Sequence, residues 1–280
     1  MLAAAGWSAP DLPAIIARAT PKNVGLWLTA SWIAVDAEMD TAFALMERMG
    51  VRGLKIDGMN RDDQYMVDFY RRAARKAAEH HLMLDFHDAF KPDGMERTWP
   101  NVLTREAVLG LEYVASGARP NAEHDVMLAF TRLLAGSMDY TPGGFSLPLS
   151  TRAHQLALFV LFESPLQTAA DPPAAYRNQS EFEFIKAVPA TWDETRAISG
   201  AVGEYVAVAR RRGADWYLGA ITNRAARELD VPLTFLGAGD YIAEIYGDSG
   251  VKQQTVNASI SLRLRLDSGG GVAIRFRPRS

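Results

Sequence analysis

The sequence contains no cysteine among its 280 residues, which excludes a disulfide framework, a thiolate zinc site and a cysteine nucleophile. It also lacks an apolar run of about 18 residues, the length that a membrane-spanning helix requires. A formal net charge of -3 gives no field that would attract nucleic acid or a membrane surface, so we expect neither as a partner. The hydrophobic content of 48% and charged content of 22% are typical of a globular protein.

Short apolar runs alternate with helical patterns over the first two thirds of the chain. The runs at 24–29, 51–57 and 82–86 predict strands, and helices predicted to begin at Asp36 and Asn60 fill the two intervals. Strands and helices that alternate at this spacing favour a parallel sheet with right-handed crossovers. Strands that are apolar throughout are typical of a sheet buried on both faces.

Near residue 190 the pattern changes to short strands separated by turn residues. The last two runs alternate around the turn DSGGG at 267–271, with apolar residues Leu262, Leu264 and Leu266 before it and Val272, Ile274 and Phe276 after it. This pattern predicts a hairpin with one apolar face, and the arginines at 263, 265, 275 and 277 are expected on its wet face. We therefore expect an α/β domain over residues 1–190 and an all-β domain over 191–280.

Polar side chains follow the predicted strands. Active-site groups of a parallel βα barrel lie at the carboxyl ends of its strands. This rule selects Asp57, the pair His87 and Asp88, and Glu112 at the end of a short strand predicted in GLEY. Lys55 precedes Asp57 by two residues, so both side chains point to one face, where the lysine would keep the aspartate ionised. Such an aspartate also serves as a helix cap or ion-pair partner, so the pattern leaves both roles open.

Two carboxyl groups with separate roles are what glycoside hydrolysis needs, and longer motifs point the same way. Four stretches resemble glycoside hydrolase family 97: GVRGLKIDGMNRDDQYMVDFY, LDFHDAFKPDGMERTWPNVLTREAVLGLEY, AEHDVMLAFTRLLAGSMDYTPGGF and SPLQTAADPPAAY. The resemblance implies a partial (β/α)8 TIM-type barrel followed by a small C-terminal antiparallel β-sandwich domain. It also implies a fragment, because members carry an N-terminal β-sandwich and a first barrel strand that this chain would lack.

The resemblance implies an exo-acting α-glycoside hydrolase with two catalytic carboxyl groups. Its retaining branch has an aspartate nucleophile in a KxD motif, which Lys55 to Asp57 match, and the glutamate of its GxEY motif is the proton donor, which matches Glu112. A retaining α-galactosidase that acts by double displacement on an oligosaccharide or α-galactoside is therefore favoured. Residues expected to contact the sugar are Lys55, His87, Trp32 and, at the rim, Asp139.

The resemblance also implies calcium as a cofactor and a periplasmic or secreted location. Glu106, Glu112 and Asp88 match positions that contact calcium, and the site would be incomplete here because one family ligand lies in the upstream sandwich. Retaining members carry glycine where this chain has Asp88, and usually phenylalanine where it has Gly58. An inverting α-glucosidase that uses Asp88 as its base is therefore an alternative. A non-catalytic carbohydrate-binding or inactive fragment is an alternative from another class.

Overall fold

A computed structural model describes residues 10–147 and 149–279 of the chain. The chain divides into two compact units, with the boundary between Ala107 and Val108. Within the described ranges, no helix combines the length and the apolar composition needed to cross a bilayer.

Over residues 10–107, the first unit is built on a sheet of four parallel strands. Their order across the sheet is their order in the chain: β1 (Trp27–Ser31), β2 (Gly53–Asp57), β3 (Met83–Phe86) and β4 (Val102–Arg105). The helices of this unit are α1 (Leu12–Ala19), α2 (Trp32–Met49) and α3 (Gln64–Glu79), with 3-10 turns at Thr20–Lys22 and Met95–Arg97. The predicted parallel arrangement of the first three strands is thus present, and a fourth strand that the sequence analysis did not predict extends it.

Polar side chains decide where the two long helices begin. Ser31 accepts a hydrogen bond from the Ala34 amide at the start of α2, and Asp63 accepts one from Met66 at the start of α3. Both residues therefore act as N-caps. The starts predicted at Asp36 and Asn60 were wrong by about one turn, because the side chains that cap the two helices are those of Ser31 and Asp63.

The two faces of the parallel sheet differ in chemistry. Leu54, Ile56 and Phe86 point to one face and are fully buried in a core that includes Phe69 and Tyr70 of α3. Because side chains alternate along a strand, the residues between them, Lys55 and Asp57 among others, share the opposite face. The apolar face packs against the helices, and the opposite face carries the polar side chains that are candidates for a functional site.

In the part that the structure describes, the second unit contains four helices and eight antiparallel strands. The helices are α4 (Ala122–Phe130), α5 (Arg152–Leu161), α6 (Pro173–Tyr176) and α7 (Phe182–Ala187), with 3-10 turns at Leu111–Ser116 and Arg132–Ala135. The strands are β5 (Glu194–Ala201), β6 (Tyr205–Arg212), β7 (Asp215–Thr222), β8 (Arg227–Pro232), β9 (Asp240–Gly247), β10 (Gly250–Asn257), β11 (Ser261–Leu266) and β12 (Gly271–Pro278). They form a six-stranded sheet in the order β10-β9-β12-β7-β6-β5 and a two-stranded sheet of β11 and β8.

The predicted hairpin between the last two strands is wrong. β11 pairs with β8, whereas β12 lies between β7 and β9 in the larger sheet. The apolar residues of both strands nevertheless face one core between the two sheets, as their alternation predicts. Alternation therefore indicates which face of a strand is buried, but it does not select the partner strand.

Helix α5 packs directly on the six-stranded sheet and is buried along its length. Two glycines allow this close approach. A side chain at Gly219 would lie 2.7 Å from the carbonyl oxygen of Ala157, and one at Gly271 would lie 2.7 Å from the Cα atom of His154. The glycines of β7 and β12 therefore determine how near this helix comes to the sheet.

Candidate active site

The register of the parallel sheet arranges polar side chains in rows. Lys55 of β2 lies opposite Thr29 of β1 and Asp85 of β3, and Asp85 lies opposite Thr104 of β4. All four side chains point to the same face, because residues in register share a face of the sheet. Lys55 is thus flanked by the buried carboxylate of Asp85, a residue that the sequence analysis did not single out.

A second row crosses the same face at the carboxyl ends of the strands. Asp57 lies opposite Ser31. The His87 amide donates to the Ile56 carbonyl at 2.8 Å and the Glu106 amide donates to the Phe86 carbonyl at 2.9 Å, which continues the register past β3 and β4. Asp57, His87 and Glu106 are therefore neighbours across the sheet, as the rule for strand ends predicted for the first two.

His87 is held between two buried carboxylates. Its Nε2 atom lies 3.4 Å from Asp85 Oδ2, and its Nδ1 atom lies 3.5 Å from Glu106 Oε2. Only 3% of His87 is exposed. The imidazole is therefore fixed in orientation by the two rows, an arrangement that suits a group that must present a ring edge to a ligand.

The turn after β3 is shaped by Glu106. Its Oε2 atom accepts a hydrogen bond from the Asp88 amide at 2.8 Å, while the Asp88 carboxylate accepts one from the Asn60 side chain at 3.1 Å. Asp88 adopts a left-handed backbone conformation, with φ of 50°. Aspartate tolerates this region and glycine prefers it, so a glycine at this position would fit the same turn.

Asp57 is half-buried and stands at the start of a tight turn. Its Oδ1 atom accepts a hydrogen bond from the amide of Gly58 at 2.7 Å, and Gly58 has a φ of 78°, a region open to glycine. Trp32 packs edge-to-face on Phe69, with 5.8 Å between ring centroids. A side-chain atom placed at Gly58 would lie 4.0 Å from the Trp32 ring, so the indole borders the turn that follows Asp57.

The remaining predicted residues lie in the second unit. Glu112 is exposed on the 3-10 turn Leu111–Ser116, so the strand predicted for GLEY is wrong. The physical reason is a backbone contact: a side chain at Gly110 would lie 2.6 Å from the Tyr140 carbonyl oxygen, to which the Leu111 amide donates. The segment docks on the chain around Tyr140 instead of joining a sheet.

Thr141 brings Glu112 and Asp139 together. Its hydroxyl oxygen lies 3.2 Å from Glu112 Oε1 and 3.3 Å from Asp139 Oδ1. Asp139 and Thr141 are buried, with 3% and 4% exposed. Asp139 is therefore part of a polar cluster rather than a solvated rim residue. Thr141 was not predicted from the sequence, although its place in MDYTPG beside Asp139 is a signal that could have been used.

Residues 5–108 match the family model described as Glycoside hydrolase 97, and residues 191–277 match the one described as Glycosyl-hydrolase 97 C-terminal, oligomerisation. The chain belongs to glycoside hydrolase family 97. The assignment made from the sequence motifs is thereby confirmed.

The relatives within family 97 are longer than this chain. It is 38% identical to a retaining alpha-galactosidase of Bacteroides thetaiotaomicron, and the match covers 95% of this chain and 44% of that protein. It is 33% identical to a probable retaining alpha-galactosidase of Streptomyces bingchenggensis, with the same coverage of 95% and 44%. A family 97 enzyme of Pseudoalteromonas sp. strain K8, solved with panose, is similar with a TM-score of 0.92 at 35% identity, over 98% of this chain and 50% of that one. The chain thus spans about half the length of these relatives.

Proposed function

We propose that this chain carries the catalytic residues of an exo-acting retaining α-galactosidase, on part of a (β/α)8 barrel followed by a β-sandwich domain. The observation that carries the proposal is the position of Asp57, at the carboxyl end of β2 and beside His87 in the register of the sheet. Barrel enzymes place their reacting groups at these strand ends. The names of the two curated relatives support galactose and retention.

In the proposed first step, an Asp57 carboxylate oxygen bonds to the anomeric carbon while the glycosidic bond to the leaving oxygen breaks. Glu112 gives its proton to that oxygen, and the bonding electron pair leaves with it. In the second step, water gives a proton to Glu112 as its oxygen displaces Asp57, which restores both carboxyl groups and releases a sugar of retained configuration. Lys55 lies on the same face as Asp57 and supplies a positive charge that favours the ionised nucleophile.

The remaining predicted contacts have distinct proposed roles. His87, oriented by Asp85 and Glu106 through its two ring nitrogens, would contact the sugar with its ring edge. The Trp32 indole beside the Gly58 turn would stack on a sugar face, as an aromatic ring can. Lys55 and Asp139 would bind further hydroxyls, since each belongs to a polar cluster beside a proposed catalytic carboxyl group.

Calcium fits the donor chemistry of the proposed metal-contacting residues. Asp88, Glu106 and Glu112 all offer carboxylate oxygens, which are the hard ligands that calcium prefers. Three carboxylates alone fall short of the six to eight oxygens that calcium binds, so water, sugar hydroxyls or upstream residues would complete the set. When bound, calcium would supply a fixed positive charge for binding sugar hydroxyls.

Because residues 191–277 match a model described by oligomerisation, we also propose that this part contributes to assembly with further copies.

The proposal is tested by following hydrolysis of nitrophenyl α-galactoside and α-glucoside by the chain and by a version extended by its in-frame upstream coding sequence. We expect α-galactose as the first product by NMR. Asp57→Gly should lose activity by at least about 100-fold, and added azide should restore turnover with formation of β-galactosyl azide. Asp62→Gly, which changes an exposed aspartate of the same segment, should behave as the wild type.

Three other outcomes would overturn the proposal. Release of the β-anomer together with unchanged activity of Asp57→Gly would support the inverting reading with Asp88 as base. A preference for the glucoside would exclude α-galactosidase specificity. Sugar binding without hydrolysis by both forms of the protein would support a non-catalytic role.

A further inference from the structure

Thr141 has a backbone conformation that is costly for its residue type. Its φ is 60°, in the left-handed region, where a β-branched side chain is a strong outlier. An L residue is strained in this region, so the surrounding structure must enforce the conformation. Glycine would occupy the same position without that cost. The geometry of the turn therefore does not by itself account for a threonine at position 141.

The hydroxyl group of Thr141 contacts two carboxyl groups. The oxygen lies within hydrogen-bond distance of one carboxylate oxygen each of Glu112 and Asp139. A hydroxyl donates a single hydrogen, and a carboxyl group beside it is restricted to the rotamers that keep this contact. Glu112 lies on an exposed 3-10 turn, and the contact with Thr141 restricts the rotamers of its long side chain.

The backbone around Thr141 is anchored on both sides. The Tyr140 carbonyl accepts from the Leu111 amide at 3.1 Å, which ties the residue before Thr141 to the residue before Glu112. The Gly143 amide donates to Gln155 Oε1 at 3.0 Å, and the Gly143 carbonyl accepts from the Tyr176 hydroxyl at 2.8 Å. The segment is therefore held against α5 and α6, and Glu112 is held against the segment.

A buried polar chain extends this anchor into the β domain. The Tyr140 hydroxyl donates to Asp125 Oδ1, Asp125 Oδ2 lies 3.1 Å from His154 Nε2, and His154 Nδ1 lies 3.3 Å from the Gly270 carbonyl. Burial, together with the neighbouring charge of Asp125, raises the pKa of Tyr140 well above its usual value, so the phenol remains a donor. At most 2% of Asp125, Tyr140 and His154 is exposed. The turn at Gly270 and the segment at Tyr140 are thus linked through side chains that water does not reach.

We propose that Thr141 is a positioning residue that orients the Glu112 carboxyl group for proton transfer to the leaving oxygen. The Tyr140–Asp125–His154 chain holds the backbone from which Thr141 acts. The inference rests on the proposed function, in which Glu112 is the acid. Thr141 itself need not touch the substrate. Its removal should therefore impair the step that needs a proton while leaving other steps intact.

Leaving groups that differ in their need for a proton test this role. α-Galactosyl fluoride departs with little acid assistance, whereas a disaccharide with a sugar leaving group requires it. In the active form of the protein, Thr141→Gly should lower kcat/KM for the disaccharide about 10-fold to 100-fold, a part of what general acid catalysis contributes. For the fluoride the loss should stay below about 3-fold. Thr141→Ser, which keeps the hydroxyl, should restore the disaccharide rate to within about 3-fold of wild type.

The thermal midpoint of Thr141→Gly distinguishes a role of Thr141 in positioning Glu112 from a role in folding. Thr141→Gly relieves the left-handed strain, so its thermal midpoint should equal or exceed that of the wild type. Equal rate losses on both substrates, or no loss with either, would overturn the positioning role. Glu112→Ala is the reference: if it shows the leaving-group dependence and Thr141→Gly does not, this inference fails alone. If Glu112→Ala shows no such dependence, the acid assignment fails and this inference fails with it.

Discussion

The His87 amide donates to the Ile56 carbonyl oxygen at 2.8 Å, and this bond places His87 beside Asp57. Neither residue is near the other in the sequence, and the contact exists because two parallel strands end at the same level. The next amide, that of Asp88, donates a hydrogen bond to the Glu106 carboxylate. One backbone ladder therefore sets the positions of the proposed nucleophile, of the histidine proposed to contact the sugar, and of the residue on which the alternative mechanism depends.

Replacement of Asp88 by glycine distinguishes the two mechanisms. Its φ of 50° suits glycine, and the change removes one hydrogen bond from Asn60. The free energy of unfolding should therefore change by less than about 1 kcal/mol. If Asp57 is the nucleophile, Asp88→Gly at saturating calcium should keep activity within about 3-fold of wild type. Ala107→Gly, at another residue of positive φ, is the matched control. A loss above about 100-fold in Asp88→Gly alone would assign the base to Asp88.

Arg105 should be a major source of stability in the first unit. Its side chain is fully buried, its guanidinium lies 4.9 Å from the ring centroids of both Tyr70 and Phe90, and it contacts Asp93 at 2.8 Å. Burial raises the pKa of Tyr70 to about 12, so this ring stays neutral beneath the cation.

Arg105→Met should lower the free energy of unfolding by about 2 kcal/mol, the size of a desolvated cation–π contact. Urea unfolding followed by circular dichroism measures the change. The exposed Arg97, replaced in the same way, should cost less than about 0.5 kcal/mol. Equal unfolding midpoints for the two variants would contradict the assigned role.

Acid should weaken the contact between α2 and α3. A hydrogen bond from Tyr65 and the nearby Arg72 guanidinium lower the pKa of Asp36, although burial opposes them. Because the folded pKa lies below the unfolded value of about 3.9, this stabilisation is complete above that value and is lost as the pH falls through the folded pKa.

The loss of stability between pH 7 and pH 3 should therefore be smaller for Asp36→Asn than for the wild type. Urea unfolding at the two pH values provides the comparison. Asp62→Asn, at an exposed aspartate, should follow the wild type. An Asp36→Asn protein that loses as much stability as the wild type over this range would refute the prediction.

Calcium binding should depend on Glu106. Titration calorimetry of the chain and of its extended form, after removal of metal with EGTA, measures the affinity directly. In whichever form binds calcium, Glu106→Gln should weaken binding at least about 10-fold, because an amide carries no charge and offers one oxygen fewer. Glu79→Gln, on the exposed side of α3, should bind as the wild type does. Unchanged affinity in Glu106→Gln would remove this residue from the proposed ligand set.

Much of the fold could be predicted because it depends on local patterns. The runs ending at Asp57 and at Phe86 are strands, and alternation correctly identified the buried faces of β11 and β12. β4 was missed because it contains the polar residues Thr104 and Arg105, and the burial of Arg105 depends on contacts with Tyr70 and Phe90, which the local pattern does not show. His154, which contacts Asp125 in the buried polar chain, carries no local signal of its role, whereas Thr141 has one in its place beside Asp139.

The sequence by itself determined the family, the strand–helix alternation, and the placement of Lys55 and Asp57 on one face of a strand. These follow from motifs and from the two-residue period of a strand, which neighbouring residues alone set. Only the tertiary structure decided that Asp85 and Glu106 flank His87, that Thr141 bridges Glu112 and Asp139, and that β11 and β12 belong to different sheets. Such pairings bring together distant segments, and their register is chosen by the packing of the whole core.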